Sequence, residues 1–569
     1  MRSALLLAIL AAVSLAACDS TSPLVDCPGG GQCPAPLIDP DTVDFDTVDE
    51  IDFARYVQPI LAARDALSPT ASTDRTDLTA VSYDAVLNAG PSSTLIPFDA
   101  DTSLLIRLAE EALADGSENP LPNLSRLQED EVRYLRRWIE AGAPDSSGMP
   151  AYADATALLY VCNQFAGRVS IVDVERQRII RNVYFAELGQ PEDAKPHHVI
   201  ASPDGDSWFV ALIAGDGGGS VLRLSADLTM DPAEDDYLLA SETPPAGEGT
   251  FQKPGMLAFN AATSRLFAGR SFSADPTSSG IGRFDAASLA FETIQTPDVH
   301  PHALAVSRDG RFMFTAGLTA QSGQTPAYVF DAATGDLVDQ EMVPGALAFV
   351  QYDVSPDGET VVLTSQLGGA LYVFDFDTDA GDLTLRGSVP TGDQPWHPVF
   401  APDGRSVFVP NRMSNTVAVV DPANLSVLRT IPNPDGGPFS QPHGSAISAD
   451  GATLFVSSRN FVMPMMNMGG GAMEGSAGHE GMDHGNMDHS EHSGMDHGAM
   501  ESENHGDIPG VAPPAISWTP PLLFLDAEGN PESADLYGNV AFIDAASGEV
   551  LTVIQTGRWA SGLALYDPR

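Results

Sequence analysis

The sequence of 569 residues predicts a mainly β protein built from seven repeated units, preceded by a small α-helical domain. A short entry motif ending in an "S-x-D-G"-like turn recurs from residue 195 onward, and the aspartates of four successive turns, Asp309, Asp357, Asp403 and Asp450, are 48, 46 and 47 residues apart. Three further apolar stretches of strand length follow each entry. Because a four-stranded unit cannot bury both of its faces alone, the units are expected to stack into a ring, a seven-bladed β-propeller over residues 155–569.

The positions of the entry motifs predict how the ring closes. The seven entries are at residues 195–205, 253–263, 300–310, 349–358, 394–404, 441–451 and 559–569. Residues 158–185 supply three strands with no entry of their own, whereas the last entry has no strands after it. The C-terminal strand is therefore expected to complete the blade that the N-terminal strands begin.

Two stretches in this region carry a family resemblance. "LLYVCNQFAGRVSIVD" (158–173) and "VFVPNRMSNTVAVVD" (407–421) resemble the YVTN-type β-propeller repeat, with Cys162 in the usual threonine position. The resemblance implies the fold, but that fold hosts enzymes, binding proteins and scaffolds alike. Cys162 lies in an apolar strand, which favours a buried, inert thiol over a nucleophile.

The first residues predict export. Residues 1–17 contain Arg2 and a short apolar run, which is typical of a secretion signal. The following "LAAC" resembles the lipobox of bacterial lipoproteins, which implies cleavage before Cys18 and a lipid anchor on that cysteine. The mature protein would then be extracytoplasmic, anchored on the periplasmic side or at the cell surface. A plain secretory signal is the alternative.

Residues 18–50 are rich in Pro, Gly, Asp and Thr and are predicted to form a flexible tether. Within it, Cys27 and Cys33 flank "PGGGQ" and could close a small disulfide loop in an oxidising compartment.

Residues 51–147 are predicted to be helical. Ser125 and Gln128 are expected to form a capping box ahead of "DEVRYLRRWIEAGA", and Gly142 can end that helix. Its apolar residues at helical spacing share one face and predict a core contact. They are Val132, Leu135, Trp138 and Ile139.

The same region resembles the cytochrome c-like domains of large bacterial exported proteins. The resemblance rests on "FARYVQPILAAR", "TLIPFDADTSLLIRL" and "LSRLQEDEVRYLRRWIEAGAPD". In that family a C-x-x-C-H haem motif follows the "PIL" segment, whereas residues 65–69 here read "DALSP". The resemblance therefore implies a degenerate domain for packing or docking, and no covalent haem is expected.

The charge of the chain limits its partners. With 77 acidic and 28 basic residues, the formal charge is -49. Nucleic acids and anionic lipid surfaces require a basic surface, so neither is expected as a partner. Metal cations are compatible with this charge, and a periplasmic protein partner remains open.

Six histidines belong to the propeller entries. The first strand of each blade lines the central channel, so these residues are expected near one mouth, although alternation along a strand predicts that four of them converge. Imidazoles without cysteine favour copper or zinc, while hydrogen bonding between blades is the structural alternative. The candidate ligands are His197, His198, His300, His302, His397 and His443.

A second histidine set interrupts the seventh blade. Residues 461–535 form a predicted disordered insertion, far longer than an ordinary blade loop. Thioether sulfur selects Cu(I) and imidazole also binds Cu(II), and the tract resembles Met/His-rich stretches of periplasmic copper-resistance proteins. A flexible polar loop is the alternative. The candidate ligands are Met463, Met465, Met466, Met468, Met473, His479, Met482, His484, Met487, His489, His492, Met495, His497, Met500 and His505.

Three functions remain open from the sequence. The first is copper handling or resistance, in which the tract collects copper. The second is a copper-dependent oxidoreductase or electron-transfer protein with a metal bound by the channel histidines. The third is a protein-interaction scaffold. No nucleophile motif or phosphate loop indicates a hydrolase.

Overall fold

The structure is a computed structural model. It describes residues 24–26, 32–34, 38–66, 81–90, 92–115, 126–213, 219–245, 251–270, 280–297, 300–318, 324–344, 348–434, 437–459, 524–525, 531–532 and 537–568. Among these residues, no helix has the length and apolar character needed to cross a membrane.

The first part of the described chain is mainly helical. Strands β1 (Leu24–Asp26) and β2 (Gln32–Pro34) pair with each other. The α-helices that follow are α1 (Gln58–Arg64), α2 (Tyr83–Leu87), α3 (Leu104–Asp115) and α4 (Glu129–Glu140).

Helix α4 confirms the predicted apolar face, because Val132, Leu135, Trp138 and Ile139 are all buried. Its N-terminus differs from the expectation. The N-cap is Gln128, whose backbone N–H donates to Glu131 Oε2 at 2.8 Å, so the capping box is formed by Gln128 and Glu131. Ser125 lies outside the described residues. The helix ends at Glu140, two residues before Gly142, whose φ of 89° is left-handed.

Seven four-stranded antiparallel sheets form the rest of the chain. We number these blades one to seven in chain order. The strands are β3 (Leu158–Asn163), β4 (Arg168–Asp173) and β5 (Arg178–Tyr184) of blade one; β6 (Lys195–Ala201), β7 (Ser207–Ile213), β8 (Gly219–Ser225) and β9 (Leu238–Glu242) of blade two; β10 (Pro254–Asn260), β11 (Arg265–Arg270), β12 (Ile281–Asp285) and β13 (Phe291–Ile294) of blade three; β14 (Pro301–Val306), β15 (Phe312–Gly317), β16 (Gln324–Asp331) and β17 (Leu337–Pro344) of blade four; β18 (Phe349–Val354), β19 (Thr360–Ser365), β20 (Ala370–Phe376) and β21 (Leu383–Pro390) of blade five; β22 (Val399–Phe400), β23 (Val407–Asn411), β24 (Thr416–Asp421) and β25 (Ser426–Ile431) of blade six; β26 (Pro442–Ile447), β27 (Thr453–Ser458), β30 (Tyr537–Asp544) and β31 (Val550–Arg558) of blade seven; and β32 (Ala560–Tyr566).

The ring closes as the entry motifs predict. The last strand, β32, pairs with β3 and becomes the first strand of blade one, in the order β32-β3-β4-β5. The first strands of successive blades contact one another around the whole ring, from β6 through β26 to β32 and back to β6. They therefore line the central channel.

Blade seven is interrupted where the sequence predicts an insertion. Between β27 and β30 the described residues form one short strand pair, β28 (Phe524–Leu525) with β29 (Pro531–Glu532). The blade itself remains continuous, because β27 pairs with β30, and Ser458 lies opposite Asn539 in that pairing.

The recurring "S-x-D-G" turn joins the first two strands of several blades. In blade four, Ser307 Oγ lies 2.6 Å from Asp309 Oδ1, which also accepts from the Arg311 N–H at 3.0 Å. Gly310 supplies the left-handed φ of 75°. Equivalent serine–aspartate pairs close the turns of blades two, five and seven.

Two backbone features recur where the chain enters the channel. The residue before the first strand has a left-handed φ in four blades, at Lys253, Ala348, Gln441 and Trp559, and in blade six Gln394 has the same conformation just before Pro395, which forms an isolated bridge with Asn411. A shift of register then occurs within the first strand, such as the one between Pro196 and His198. Such bulges disrupt the regular alternation of side chains, and this irregularity positions the site described below.

The apolar core lies between neighbouring blades. One cluster packs Phe314 of blade four against Phe374 of blade five, and another packs Phe455 of blade seven against Leu159 of blade one. Because each blade buries both faces against its neighbours, the ring is the unit of stability.

The helical part covers the outer edge of blade one. The Arg178 guanidinium donates to the carbonyl oxygens of residues 88, 89 and 90, and Asn182 Nδ2 donates to Asp99 Oδ2 at 2.7 Å. These contacts cover strand β5, the last strand of blade one, whose outer edge would otherwise be exposed.

Candidate functional site

The six entry histidines lie at one end of the channel-lining strands. His197 and His198 are in β6 of blade two, His302 is in β14 of blade four, and His443 is in β26 of blade seven. The other two, His300 and His397, lie just before β14 and β22. His198, His300, His302, His397 and His443 are each at most 8% exposed, so the side chains are removed from bulk water.

Five of these histidines are connected by ring contacts. The ring of His197 lies 5.7 Å from that of His302, and their Nε2 atoms are 3.5 Å apart. The neighbouring His198 lies 5.8 Å from His397, which in turn lies 4.7 Å from His443. Blades two, four and six are not neighbours, so the first two contacts cross the channel. We call His197, His198, His302, His397 and His443 the histidine cluster.

Ring contacts link five histidines, one more than the four expected from strand alternation, and the reason is local. Strict alternation would send His197 and His198 to opposite sides of β6. The bulge between Pro196 and His198 breaks this alternation, so both rings reach other members of the cluster. The sixth candidate, His300, is buried ahead of Pro301, and its carbonyl oxygen accepts from the Leu318 N–H at 3.2 Å.

Hydrogen bonds assign the tautomers of two cluster histidines. His302 Nδ1 lies 2.9 Å from the Val350 carbonyl oxygen, which can only accept, so the proton is on Nδ1 and the Nε2 lone pair is free. His198 is the reverse case, because the Leu257 N–H donates to Nδ1 at 3.2 Å. The neutral His198 ring therefore carries its proton on Nε2.

His197 can adopt either tautomer. The side-chain amide nitrogen of Gln164 lies 2.7 Å from His197 Nδ1 and, as placed, donates to it. In that arrangement His197 Nε2–H points at His302 Nε2. A half-turn of the amide would make Gln164 Oε1 the acceptor and leave two Nε2 lone pairs facing each other.

Burial keeps the cluster neutral. It lowers the pKa of His198 to about 3 and that of His302 to about 4. Burial, followed by repulsion from neighbouring histidines and Arg459, also holds the pKa values of His197 and His397 well below the usual range. The imidazoles are therefore uncharged at neutral pH, the form in which they bind metals.

Two arginines and two tryptophans adjoin the cluster. The guanidinium of Arg459 lies 4.6 Å from the Trp559 ring centroid and 5.5 Å from that of Trp396, and Arg412 lies 5.2 Å from Trp396. The Trp396 ring is 4.9 Å from that of His443. We call Arg412, Arg459, Trp396 and Trp559 the arginine–tryptophan group.

Neither this group nor Gln164 was predicted from the sequence, although the repeats contain a signal for the two arginines. Arg412 and Arg459 follow the second strands of blades six and seven at equivalent points, since their N–H groups donate to the carbonyls of Gln394 and Gln441. Their separation matches the repeat spacing, so aligning the blades would have paired them. Trp396 directly precedes His397 in "QPWHPVF".

The cluster does not form a complete metal site as it stands. Among the described residues, no group of three or more His, Cys, Asp or Glu side chains is arranged to hold a metal ion. Binding by more than the His197–His302 pair would therefore require rotation of side chains. His397 Nε2 and both ring nitrogens of His443 are buried with no hydrogen-bond partner in the described part of the chain.

Other predicted site residues lie outside the described residues. These are Cys18, Cys27 and the whole set of methionines and histidines between residues 463 and 505. Only the backbone of Cys33 is described, in β2. Cys162 is a free, buried cysteine, and burial raises the pKa of its thiol well above the usual value. This fits the predicted inert thiol.

Comparison with known proteins supports the architecture. A family model described as lactonase, 7-bladed beta-propeller, matches residues 243–467. Together with the strand order, this match decides the fold. The chain is a seven-bladed β-propeller. No protein of curated function matches the sequence.

Several solved structures are similar at low sequence identity. A putative 6-phosphogluconolactonase from Bacteroides fragilis is 15% identical with a TM-score of 0.45, over 74% of this chain and 100% of that one. The periplasmic gluconolactonase of Pseudomonas aeruginosa is 16% identical with a TM-score of 0.45, over 73% and 99%. Kuenenia stuttgartiensis hydrazine synthase is 16% identical with a TM-score of 0.41, over 53% and 89%.

Proposed function

We propose that this protein is an extracytoplasmic, lipid-anchored β-propeller that handles copper, with the histidine cluster as an internal site and the Met/His-rich tract as a capturing arm. The observation that carries the proposal is the approach of His197 Nε2 to His302 Nε2 at 3.5 Å. Two nitrogens bound to one tetrahedral metal at ~2.0–2.1 Å lie about 3.4 Å apart. The pair therefore requires little movement to become two ligands.

The protonation state of the pair supports the same conclusion. His302 is held with its proton on Nδ1 by the Val350 carbonyl, an arrangement typical of metal-binding histidines, whose remote nitrogen donates to a backbone oxygen. A half-turn of the Gln164 amide gives His197 the matching tautomer. Because the pKa values of both rings are lowered, a metal ion would displace no proton from them at neutral pH.

The position of the tract supports a role in supply. The chain leaves blade seven after Arg459, which packs on Trp559, and returns at β30, whose Asn539 lies opposite Ser458. Arg459, the last described residue before the insertion, thus lies beside Trp396, whose ring is 4.9 Å from that of His443. The soft methionine sulfurs and imidazoles of the tract suit Cu(I) and Cu(II), which is why copper is proposed over zinc.

The test is elemental analysis of copper bound after dialysis. Four proteins are compared: the full chain, a tract variant with every methionine and histidine of residues 463–505 replaced by serine, His302→Gln, and the combination. We expect the tract variant to retain about one tightly bound copper ion, His302→Gln to lose that ion but keep tract copper, and the combination to bind none. A copper-free tract variant would contradict the internal site, and an unchanged copper content would contradict the capturing arm.

A second candidate function is supported by the lactonase family match over residues 243–467. In this alternative, the channel mouth would bind a cyclic ester, and water would add to its carbonyl with cleavage of the ring C–O bond to give a hydroxy acid. The test is hydrolysis of gluconolactone by the metal-free protein, followed by base uptake at constant pH. Activity that His443→Gln abolishes would favour this function, whereas a rate equal to that of buffer alone would reject it.

A further inference from the structure

We propose that the channel mouth also contains a binding site for a small oxyanion, either a carboxylate or a phosphate, formed by Arg412, Arg459 and the indole N–H of Trp396. This inference goes beyond copper handling and does not depend on a bound metal. It rests on the contacts and burial of the arginine–tryptophan group.

The two guanidinium groups lie on the same indole ring. Arg412 and Arg459 are 5.2 and 5.5 Å from the Trp396 centroid, and Arg459 also packs on Trp559 at 4.6 Å. Stacking on aromatic faces orients a guanidinium and leaves its N–H groups directed outward along the ring edge. Both positive charges therefore lie within 5.5 Å of the ring that carries the Trp396 indole N–H.

Neither arginine forms an ion pair with any described carboxylate. Arg459 is 7% exposed, and its Nε has no hydrogen-bond partner in the described part of the chain. Arg412 Nε donates to Gln441 Oε1 at 3.2 Å, which is a neutral acceptor. A buried guanidinium without an anion is costly, so this arrangement favours an external one.

The surrounding groups add donors and no negative charge. Trp396 Nε1 is buried without a described acceptor, and both ring nitrogens of His443 also lack partners there. Burial, followed by repulsion from Arg412, lowers the pKa of Arg459. An oxyanion would accept from these donors and relieve that repulsion, whereas a second cation would increase it.

The overall charge of the protein disfavours nonspecific binding of anions. With a formal charge of -49, the surface repels anions in general. Anion binding to this chain therefore requires a specific pocket, and the paired arginines are its strongest candidate among the described residues. Carboxylate and phosphate both present a pair of oxygens that can accept two parallel N–H hydrogen bonds from one guanidinium group.

The experiment is isothermal titration calorimetry on the full chain after removal of metals with a chelator, with inorganic phosphate in one arm and succinate in the other. We expect one binding site for at least one of the two anions, and the stronger arm identifies the source. Arg412→Gln and Arg459→Gln should each weaken binding by roughly tenfold or more.

Arg405→Gln is the matched control, because Arg405 is an exposed residue of blade six that carries the same charge. The affinity of the Arg405→Gln variant for either anion should equal that of the wild type. The absence of binding in both arms would overturn the proposal, as would an equal loss in Arg405→Gln, which would indicate a general charge effect. If Arg459→Gln fails to fold, anion binding by the Arg412→Gln variant tests the proposal, because Arg412 is only half-buried. Because no copper is present, this test can fail while the copper site stands, and the reverse also holds.

Discussion

Two buried arginines show how the channel mouth differs from the helix-covered edge of blade one. Arg181 of β5 is fully buried, and its two terminal nitrogens donate to the carbonyl oxygens of Ala151, Ile180 and Leu228. Arg459 is almost as deeply buried, yet among the described residues it has aromatic neighbours and no carboxylate. The Nε atoms of both arginines have no partner among the described residues, so the difference lies in the terminal nitrogens, which in Arg181 donate to the chain's own carbonyl oxygens.

The same contrast applies to the side chains around each arginine. On blade one, Asp99 accepts from Asn182 at 2.7 Å and from Tyr184 at 3.0 Å, so polar groups of the helical part and the blade satisfy each other. At the mouth, buried nitrogens of His397, His443 and Trp396 have no described partner. Buried polar groups of stable proteins are usually paired, so this group of nitrogens without described partners is the feature on which the proposed binding functions depend.

The largest expected effect separates the two arginines by stability. Arg181→Met should lower the free energy of unfolding by about 3 kcal/mol, because three backbone carbonyls would lose their donors. Arg459→Met should change it by less than about 1 kcal/mol, or raise it, since an apolar side chain replaces a buried cation that pairs with no described carboxylate. Guanidinium chloride unfolding of both variants measures the difference. Equal losses would show that Arg459 is also structural.

The next effect is the pH dependence of stability in the metal-free protein. In the folded protein the pKa of His302 is lowered to about 4 and that of His198 to about 3. In the unfolded chain the pKa of histidine is near 6.5, so as the pH falls these groups bind protons in the unfolded chain before they do so in the folded protein. Their contribution is fully present above pH 6.5 and is lost as the pH falls toward 4. Unfolding midpoints across this window should fall less steeply in His302→Gln than in the wild type. Parallel curves would contradict a buried neutral His302.

A smaller effect is expected at Gln164, which acts through His197. Gln164→Leu should lower copper affinity roughly tenfold, because the side-chain oxygen that can accept from His197 Nδ1–H and leave the Nε2 lone pair free is removed. Gln366 is the matched control, since its N–H donates to the Ala348 carbonyl at the equivalent point of blade five. Competition with a copper-binding dye should find Gln366→Leu unchanged. Equal losses would remove any positioning role for Gln164.

The smallest effect is expected at Cys162, a buried residue of strand β3 in blade one. Burial raises the pKa of its thiol, so the native protein should react slowly with iodoacetamide and readily only after unfolding. Cys162→Ala should leave copper content unchanged. Rapid labelling of the native protein, measured by mass spectrometry, would contradict the inert thiol.

Sequence periodicity predicted the architecture and part of the site. The entry spacing predicted the blades, and the unmatched strands predicted the pairing of β32 with β3. Strand alternation failed at His197 because a bulge is a local backbone feature that leaves no clear mark in residue types. Arg459 was missed for a different reason, because its burial and the lack of a described partner for its Nε are features of packing that residue types do not reveal.

The most direct test of the account compares two cluster histidines that differ in one proton position. In the tract variant, copper affinity is measured by competition for His302→Gln and His198→Gln. His302 presents a free Nε2 lone pair, whereas the Leu257 N–H leaves the Nε2 of His198 protonated. We predict a loss of roughly 100-fold for His302→Gln and of less than about threefold for His198→Gln. Equal losses, or no loss in either variant, would contradict a copper site built on the His197–His302 pair.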